Sequence, residues 1–203
     1  MRPARIRDFK MPDYSNLPLE ELLKYTHDKE AWYQIGMSYW KDYDFVNAAV
    51  WLEKAMNDPN NEWANKAAQN LGIANLGLIP NASKDEALRL FEKSKSLPIS
   101  KLHAGFLYYY GTESNPNPDD GMQLKGRRYI EDAIQAIINM RGNDDYLKTD
   151  ECFKIGVMYA ESGYQTDAKK FFEKAIERAD SNYASDRRII EMAEEEIQAL
   201  GGL

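Results

Sequence analysis

Cysteine and histidine are nearly missing from this chain: Cys152 stands alone, and His27 and His103 are the two histidines in 203 residues. A single cysteine excludes an intramolecular disulfide. Catalysis needs a positioned set of polar groups, and no triad motif or persuasive pair of carboxylates accompanies these few residues. There is no Gly-Lys-Ser/Thr phosphate loop and no EF-hand spacing. We therefore expect no catalytic residues, no metal site and no cofactor.

Long apolar runs are also lacking. None approaches the roughly 20 residues that a membrane-spanning helix requires. The opening stretch MRPARIRDFKMPDY has basic residues but no apolar core, unlike a secretory signal. The expected location is a reducing cytoplasm, where Asn81-Ala82-Ser83 is a chance sequon. Positive charge is in deficit as well. With 26 Lys and Arg against 33 Asp and Glu, the net charge is −7 and the pI about 5.0. Nucleic-acid binding requires a basic face, so it is not expected. Residues 1–100 carry 13 basic and 14 acidic side chains and residues 101–203 carry 13 and 19, which places −6 of the charge in the C-terminal half. Such a surface can steer a basic partner.

What the chain does have is an internal repeat. Ile35-Gly36 and Tyr39 are followed by Ala48, Leu52 and Ala55; Leu71-Gly72 by Ala87, Phe91 and Ser94; Ala104-Gly105 by Gly126, Ile130 and Ala133; and Ile155-Gly156 by Ala168, Phe172 and Ala175. Each small-large-small triplet is spaced four and then three residues, one face of a 3.6-residue helix. Ala55, Ser94 and Ala133 recur at intervals of 39 residues, and Ala175 follows after 42. Helix pairs repeating at this length cannot bury their apolar faces alone and must stack on their neighbours. A glycine at the crossing lets the second helix approach closely, and a small residue such as Ala48 is expected to sit against Gly36.

Gly36 to Ala48 and Gly156 to Ala168 each span twelve residues, followed by Leu52-Ala55 or Phe172-Ala175, and this pattern resembles the 34-residue tetratricopeptide unit. The second and third units carry extra residues between their helices, as in Sel1-like repeats. The resemblance covers about residues 29–182, with Gly126 in place of the usual Ala and Asn75 in place of the Tyr. It implies an all-α fold, a right-handed α-α superhelix of helix-turn-helix repeats with capping helices at both ends.

Taken in order, residues 1–15 read as an extended arm carrying Arg2, Arg5, Arg7 and Lys10, and 16–203 as a single repeat domain. A short helix after Pro18, ending near His27, is an N-terminal cap. Four units are expected at about 29–57, 62–96, 99–140 and 145–180. Asp28 and Asp44 are placed to cap the first pair, and Ser83 with Glu86 reads as a capping box. Asp58-Pro59-Asn60-Asn61 should stop the first pair and Arg141-Gly142-Asn143 the third. The stretch GTESNPNPDDG is a long loop between two helices. The last helix, about 185–200, is capped by Ser185-Asp186. It presents Ile189, Ile190, Ala193, Ile197 and Leu200 on one stripe, with Glu191, Glu194, Glu195 and Glu196 toward water, and Gly201-Gly202 closes it.

With Ile35 and Tyr39 facing the partner helix, residues two before and one, four and five after each glycine turn to another side. In tetratricopeptide and Sel1-like proteins that side lines a concave groove, and the resemblance implies the same lining here. It comprises Gln34, Met37, Trp40 and Lys41, then Asn70 and Ile73, then His103, Phe106, Tyr109 and Tyr110, then Lys154, Val157 and Glu161, with Tyr33 and Phe153 at the edge. Trp40, Tyr109 and Tyr110 are the aromatic anchors expected of a hot spot, or else packing between units. The expected function is non-catalytic binding of a peptide or protein surface. The alternative is an acidic, immunity-type inhibitor that masks a toxin or enzyme.

Overall fold

A computed structural model describes residues 13–58, 61–141 and 147–201. Among these there are ten α-helices and no strand. Two compact units divide the chain, Met1–Lys93 and Ser94–Leu203. Each is a run of helix hairpins stacked side by side, the packing of the α-α superhelical class.

The first unit opens with a 3₁₀ turn, Tyr14–Asn16, a one-turn helix α1 (Leu19–Leu22) and a second 3₁₀ turn, Leu23–Tyr25. Tyr14 and Leu22 are buried against Ala31 and Ile35, so this segment covers the apolar end of the first pair. The pair is α2 (Ala31–Lys41) and α3 (Phe45–Asn57), followed by α4 (Ala64–Ala74) and α5 (Lys84–Lys93). Asp44 caps α3, its Oδ1 accepting the Asn47 N–H at 3.1 Å. Asp28 does not cap α2, which begins three residues later; its carboxylate takes the Glu30 N–H at 3.0 Å and the Tyr14 hydroxyl instead. At α5 the capping box is half made. Ser83 Oγ accepts the Glu86 N–H at 3.4 Å, but the Glu86 carboxylate is forked onto Arg89 at 2.6 and 2.7 Å.

The second unit holds α6 (Pro98–Tyr110), α7 (Asp120–Arg141), α8 (Thr149–Glu161), α9 (Gln165–Arg178) and α10 (Ala184–Gly201). In the long connection Gly111–Asp119, Gly111 adopts φ +97° and Asn115 accepts the Thr112 N–H at 3.0 Å. Asp119 then caps α7 through the Met122 N–H at 2.8 Å. Ser185 and Asp186 lie inside α10 rather than capping it, because Asp186 reaches back to the Asp180 N–H at 3.0 Å and so anchors the turn before the helix. Of the four glutamates expected to face water on α10, Glu196 is half-buried and the other three are exposed. Of the arm expected over residues 1–15, residues 1–12 lie outside the described residues, as do Pro59-Asn60, Gly142-Asn143 and Gly202, while its last residues are not extended because Tyr14 enters the 3₁₀ turn and is buried.

The crossings bring the expected small residue near the glycine, as where a Cβ on Gly105 would come within 2.9 Å of the Gly126 carbonyl oxygen, but they set a larger neighbour closer still. A Cβ on Gly36 would come within 2.9 Å of Leu52 Cγ, while the Ala48 carbonyl oxygen lies 3.3 Å away. At Gly72, Gly105 and Gly156 the nearest atoms belong to Phe91, Ile130 and Phe172, at 2.5, 2.7 and 2.6 Å. It is the large middle residue of each triplet that lies over the glycine. The small residue one turn earlier lets the helix axes come near enough for that to happen, and it is buried in each unit.

Candidate functional site

The groove residues fall into two groups, one in each unit. In the first unit α2 lies beside α4, and Asn70 joins them: its Nδ2 is 3.0 Å from Met37 Sδ and 3.4 Å from the Tyr33 hydroxyl. Trp63, just ahead of α4, stacks on Tyr33 with ring centroids 5.1 Å apart and planes within 7°. Burial raises the Tyr33 phenol above its ordinary pKa. Trp40 packs toward the core of the same unit and meets Phe45 edge to face at 5.0 Å. Gln34 and Ile73 are half-buried on these helices, and Lys41 is exposed at the end of α2. Tyr33, Met37 and Asn70 therefore form one cluster, with Trp40 and Lys41 farther along α2. Sequence reasoning missed Trp63. Its signal was an aromatic in the first turn expected of the second unit, which periodicity does not score.

In the second unit α6 lies beside α8. The Tyr110 hydroxyl donates to the Lys154 carbonyl at 2.8 Å, and the Lys154 ammonium stands 5.7 Å from the Phe106 ring. Lys154 also pairs with Asp150 at 3.0 Å, one turn earlier. Tyr109 and Tyr110 are adjacent in sequence but differ in place. Tyr109 is 7% exposed within the core cluster, whereas Tyr110 is 39% exposed. Ser162 and Glu161 lie near the Tyr109 phenol. Burial raises the pKa of both tyrosines, and for Tyr110 the nearby Glu161 charge adds to it. Phe153 and Val157 turn toward Phe172 and the C-terminal helix, where Val157 joins Ala168, Phe172 and Ala193. The open part of this face is thus Tyr110, Lys154 and Glu161, over a buried floor of Phe106 and Tyr109.

His103 occupies the inner edge of the face, its side chain 14% exposed and Nε2 3.4 Å from Glu151 Oε1. The other Glu151 oxygen accepts the Lys148 N–H at 2.8 Å at the start of α8. Burial, with Lys154 and Lys148 adding repulsion, lowers the His103 pKa to about 4, and burial raises that of Glu151. At neutral pH the imidazole is uncharged and can hydrogen-bond. Glu151 was not singled out from the sequence, where it reads only as an acid in a first turn.

Elsewhere, Cys152 is fully buried and its Sγ accepts from Arg178 Nη1 at 2.9 Å, which makes it a packed core thiol. Among the described residues no three His, Cys, Asp or Glu side chains are grouped to hold a metal ion. None of the described helices is long and apolar enough to cross a membrane.

Against known families, one stretch of the chain gives a match. Residues 152–182 match a tetratricopeptide repeat. The match takes in α8 from Cys152 onward and all of α9, and contains Gly156, Ala168, Phe172 and Ala175, the fourth copy of the pattern that runs through the chain. No curated protein matches the chain. A tetratricopeptide unit points to a protein-interaction module with protein partners.

Proposed function

We propose that this chain is a non-catalytic binding module that holds a peptide or a protein surface on the faces lined by α2 with α4 and by α6 with α8. The observation that supports it most is the arrangement at Tyr110 and Lys154, where an exposed aromatic is tied to the neighbouring helix and flanked by an amine and the Glu161 carboxylate. A rigid ring beside separated charges can take an apolar side chain and orient its polar neighbours. The longer connections Asn75–Ser83 and Gly111–Asp119 support reading the second and third pairs as Sel1-like. A reducing cytoplasm suits the lone buried thiol of Cys152.

The reading is tested by affinity capture from the source cell with wild type, Tyr110→Ala and Lys154→Glu proteins, followed by mass spectrometry. A partner retained by wild type and lost with both variants supports it; a partner retained by all three removes the face from consideration. The second reading, an inhibitor that masks a basic partner, draws on Glu191, Glu194 and Glu195, which are exposed along α10. That partner would be retained by the face variants and lost on reversing these glutamates.

A further inference from the structure

α3 turns outward a face whose chemistry its packing does not require. Val46 and Val50, one turn apart, are 53% and 49% exposed, and Tyr43 just before the helix is 82% exposed. The repeat supplies its own control. At the corresponding register α5 has Asp85 and Arg89, α7 has Leu124 and Arg128, and α9 has Thr166 and Lys170. All four helices pack inward through the same small-large-small triplet, so inward packing does not select two valines at these outward positions.

The turn before α3 carries the same message. Tyr43 has φ +60°, and the equivalent place in the α8–α9 turn is taken by Gly163 with φ +81°. The left-handed region disfavours a bulky side chain and costs glycine nothing. Here the ring projects into solvent and touches Phe45 only edge to face, with centroids 6.1 Å apart. Farther along the same face, beside Val50, lies a cleft of about 510 Å³ lined by Trp32, Glu53, Lys54 and Asn57. One helix face therefore has two exposed valines and, beside Val50, a cleft, with an exposed aromatic in the turn that precedes the helix.

We propose that this face is a self-association surface, on which α3 packs antiparallel against α3 of a second copy of this chain. A two-fold interface uses one patch twice, and a knob and a hole on the same face satisfy it reciprocally. With the crossing level with Ala48, Val46 of each copy meets Val50 of the other. Tyr43 then reaches the other copy's cleft near Glu53 and Lys54, where the ring packs on Trp32 and the ammonium stem. Antiparallel helix dipoles favour the same arrangement. The patch is small beside the roughly 1,600 Å² of a standard stable interface, so the association is weak, with a dissociation constant on the order of 10–100 μM.

Sedimentation velocity on the full chain between about 5 and 500 μM reads the result directly. The average mass is expected to rise with concentration from 23.4 kDa toward twice that value. Val50→Lys and Val46→Asp should each raise the dissociation constant by about tenfold or more with unchanged circular dichroism, since both positions are exposed. The double variant Val46→Asp/Val50→Lys should recover association, because the antiparallel register sets each new Asp opposite the other copy's Lys. A chain that stays monomeric at 500 μM overturns the proposal, and so does a dimer that Val50→Lys leaves intact. A double variant no tighter than the single ones overturns it too, since the register would then be wrong.

Discussion

The Phe172 ring lies directly over Gly156, so close that a Cβ there would come within 2.6 Å of it. Phe172 is fully buried and cannot swing away. Gly156→Leu should therefore lower the melting temperature by several degrees, as about 1–3 kcal/mol of overpacking implies. Gly36→Leu should do the same with a smaller shift, because Leu52 is aliphatic and the clash at 2.9 Å is milder. Thermal unfolding by circular dichroism checks the order, and two unaffected variants would show that these glycines are not the crossing points.

Removing the chain from Ser185 onward strips α10 from Phe153, Val157 and Phe172, since Ala193, Ile197 and Leu200 cover that cluster. At low micromolar concentration, below the range in which the full chain is expected to pair, the truncated protein should aggregate by light scattering where the full chain does not. A monodisperse truncation of equal stability would mean that α10 is a tail and not a cap.

Tyr109 and Tyr110 should separate on mutation. Tyr109→Ala removes a core ring and should cost roughly 3–5 kcal/mol of stability. Tyr110→Ala should leave folding nearly intact and, together with Trp40→Ala, weaken partner binding by on the order of 2 kcal/mol. Reversing Glu194 and Glu195 should act on the association rate and its salt dependence, because exposed charges steer more than they hold. Titration calorimetry and stopped-flow binding at two salt concentrations distinguish the two surfaces. Normal binding by both aromatic variants, with affinity lost at high salt in the glutamate reversals, would favour the inhibitor reading.

The buried His103 sets a pH dependence with a definite sign. Unfolded histidine titrates near 6.5, while His103 in the fold does so at about 4. Below pH 6.5 the unfolded chain takes up a proton that the folded one does not, so stability falls as pH drops from 6.5 to 4, by up to about 3 kcal/mol. Glu151 works in the opposite direction. Its raised pKa costs the fold stability as pH rises above the ordinary carboxyl range, because the unfolded chain ionises first. The other groups facing the imidazole are Asp150, Lys148 and Lys154. Urea unfolding of His103→Gln between pH 4 and 7 should show a flatter profile than wild type; parallel curves would place the histidine's proton elsewhere.

Tyr43→Gly should be neutral or stabilising, unlike most losses of an aromatic. Relief of the left-handed strain, about 1–2 kcal/mol, is set against the greater freedom that glycine gives the unfolded chain, about 0.4–1 kcal/mol. Urea unfolding checks this at low concentration, and a marked loss of stability would mean that the ring is held by more than Phe45.

The phase of the repeat was readable in the residues themselves. Gly36 and Gly156, the triplets Ala48-Leu52-Ala55 and Ala168-Phe172-Ala175, and the cap at Asp44 are local choices that a 3.6-residue period and a close helix crossing dictate. The all-α fold followed from them, and the tetratricopeptide unit at 152–182 lies where that pattern placed the fourth pair. The neighbours of each side chain were decided only when the helices lay side by side. Nothing within α6 distinguishes an inward Tyr109 from a half-open Tyr110, since both are tyrosines at the end of one helix. Glu151 reads as a first-turn acid until His103 of another helix approaches to 3.4 Å, and Asp186 reads as a cap until the turn at Asp180 takes its carboxylate. Local periodicity specifies which face a residue is on, but burial, pairing and pKa depend on what long-range packing sets against that face, and short-range sequence does not contain it.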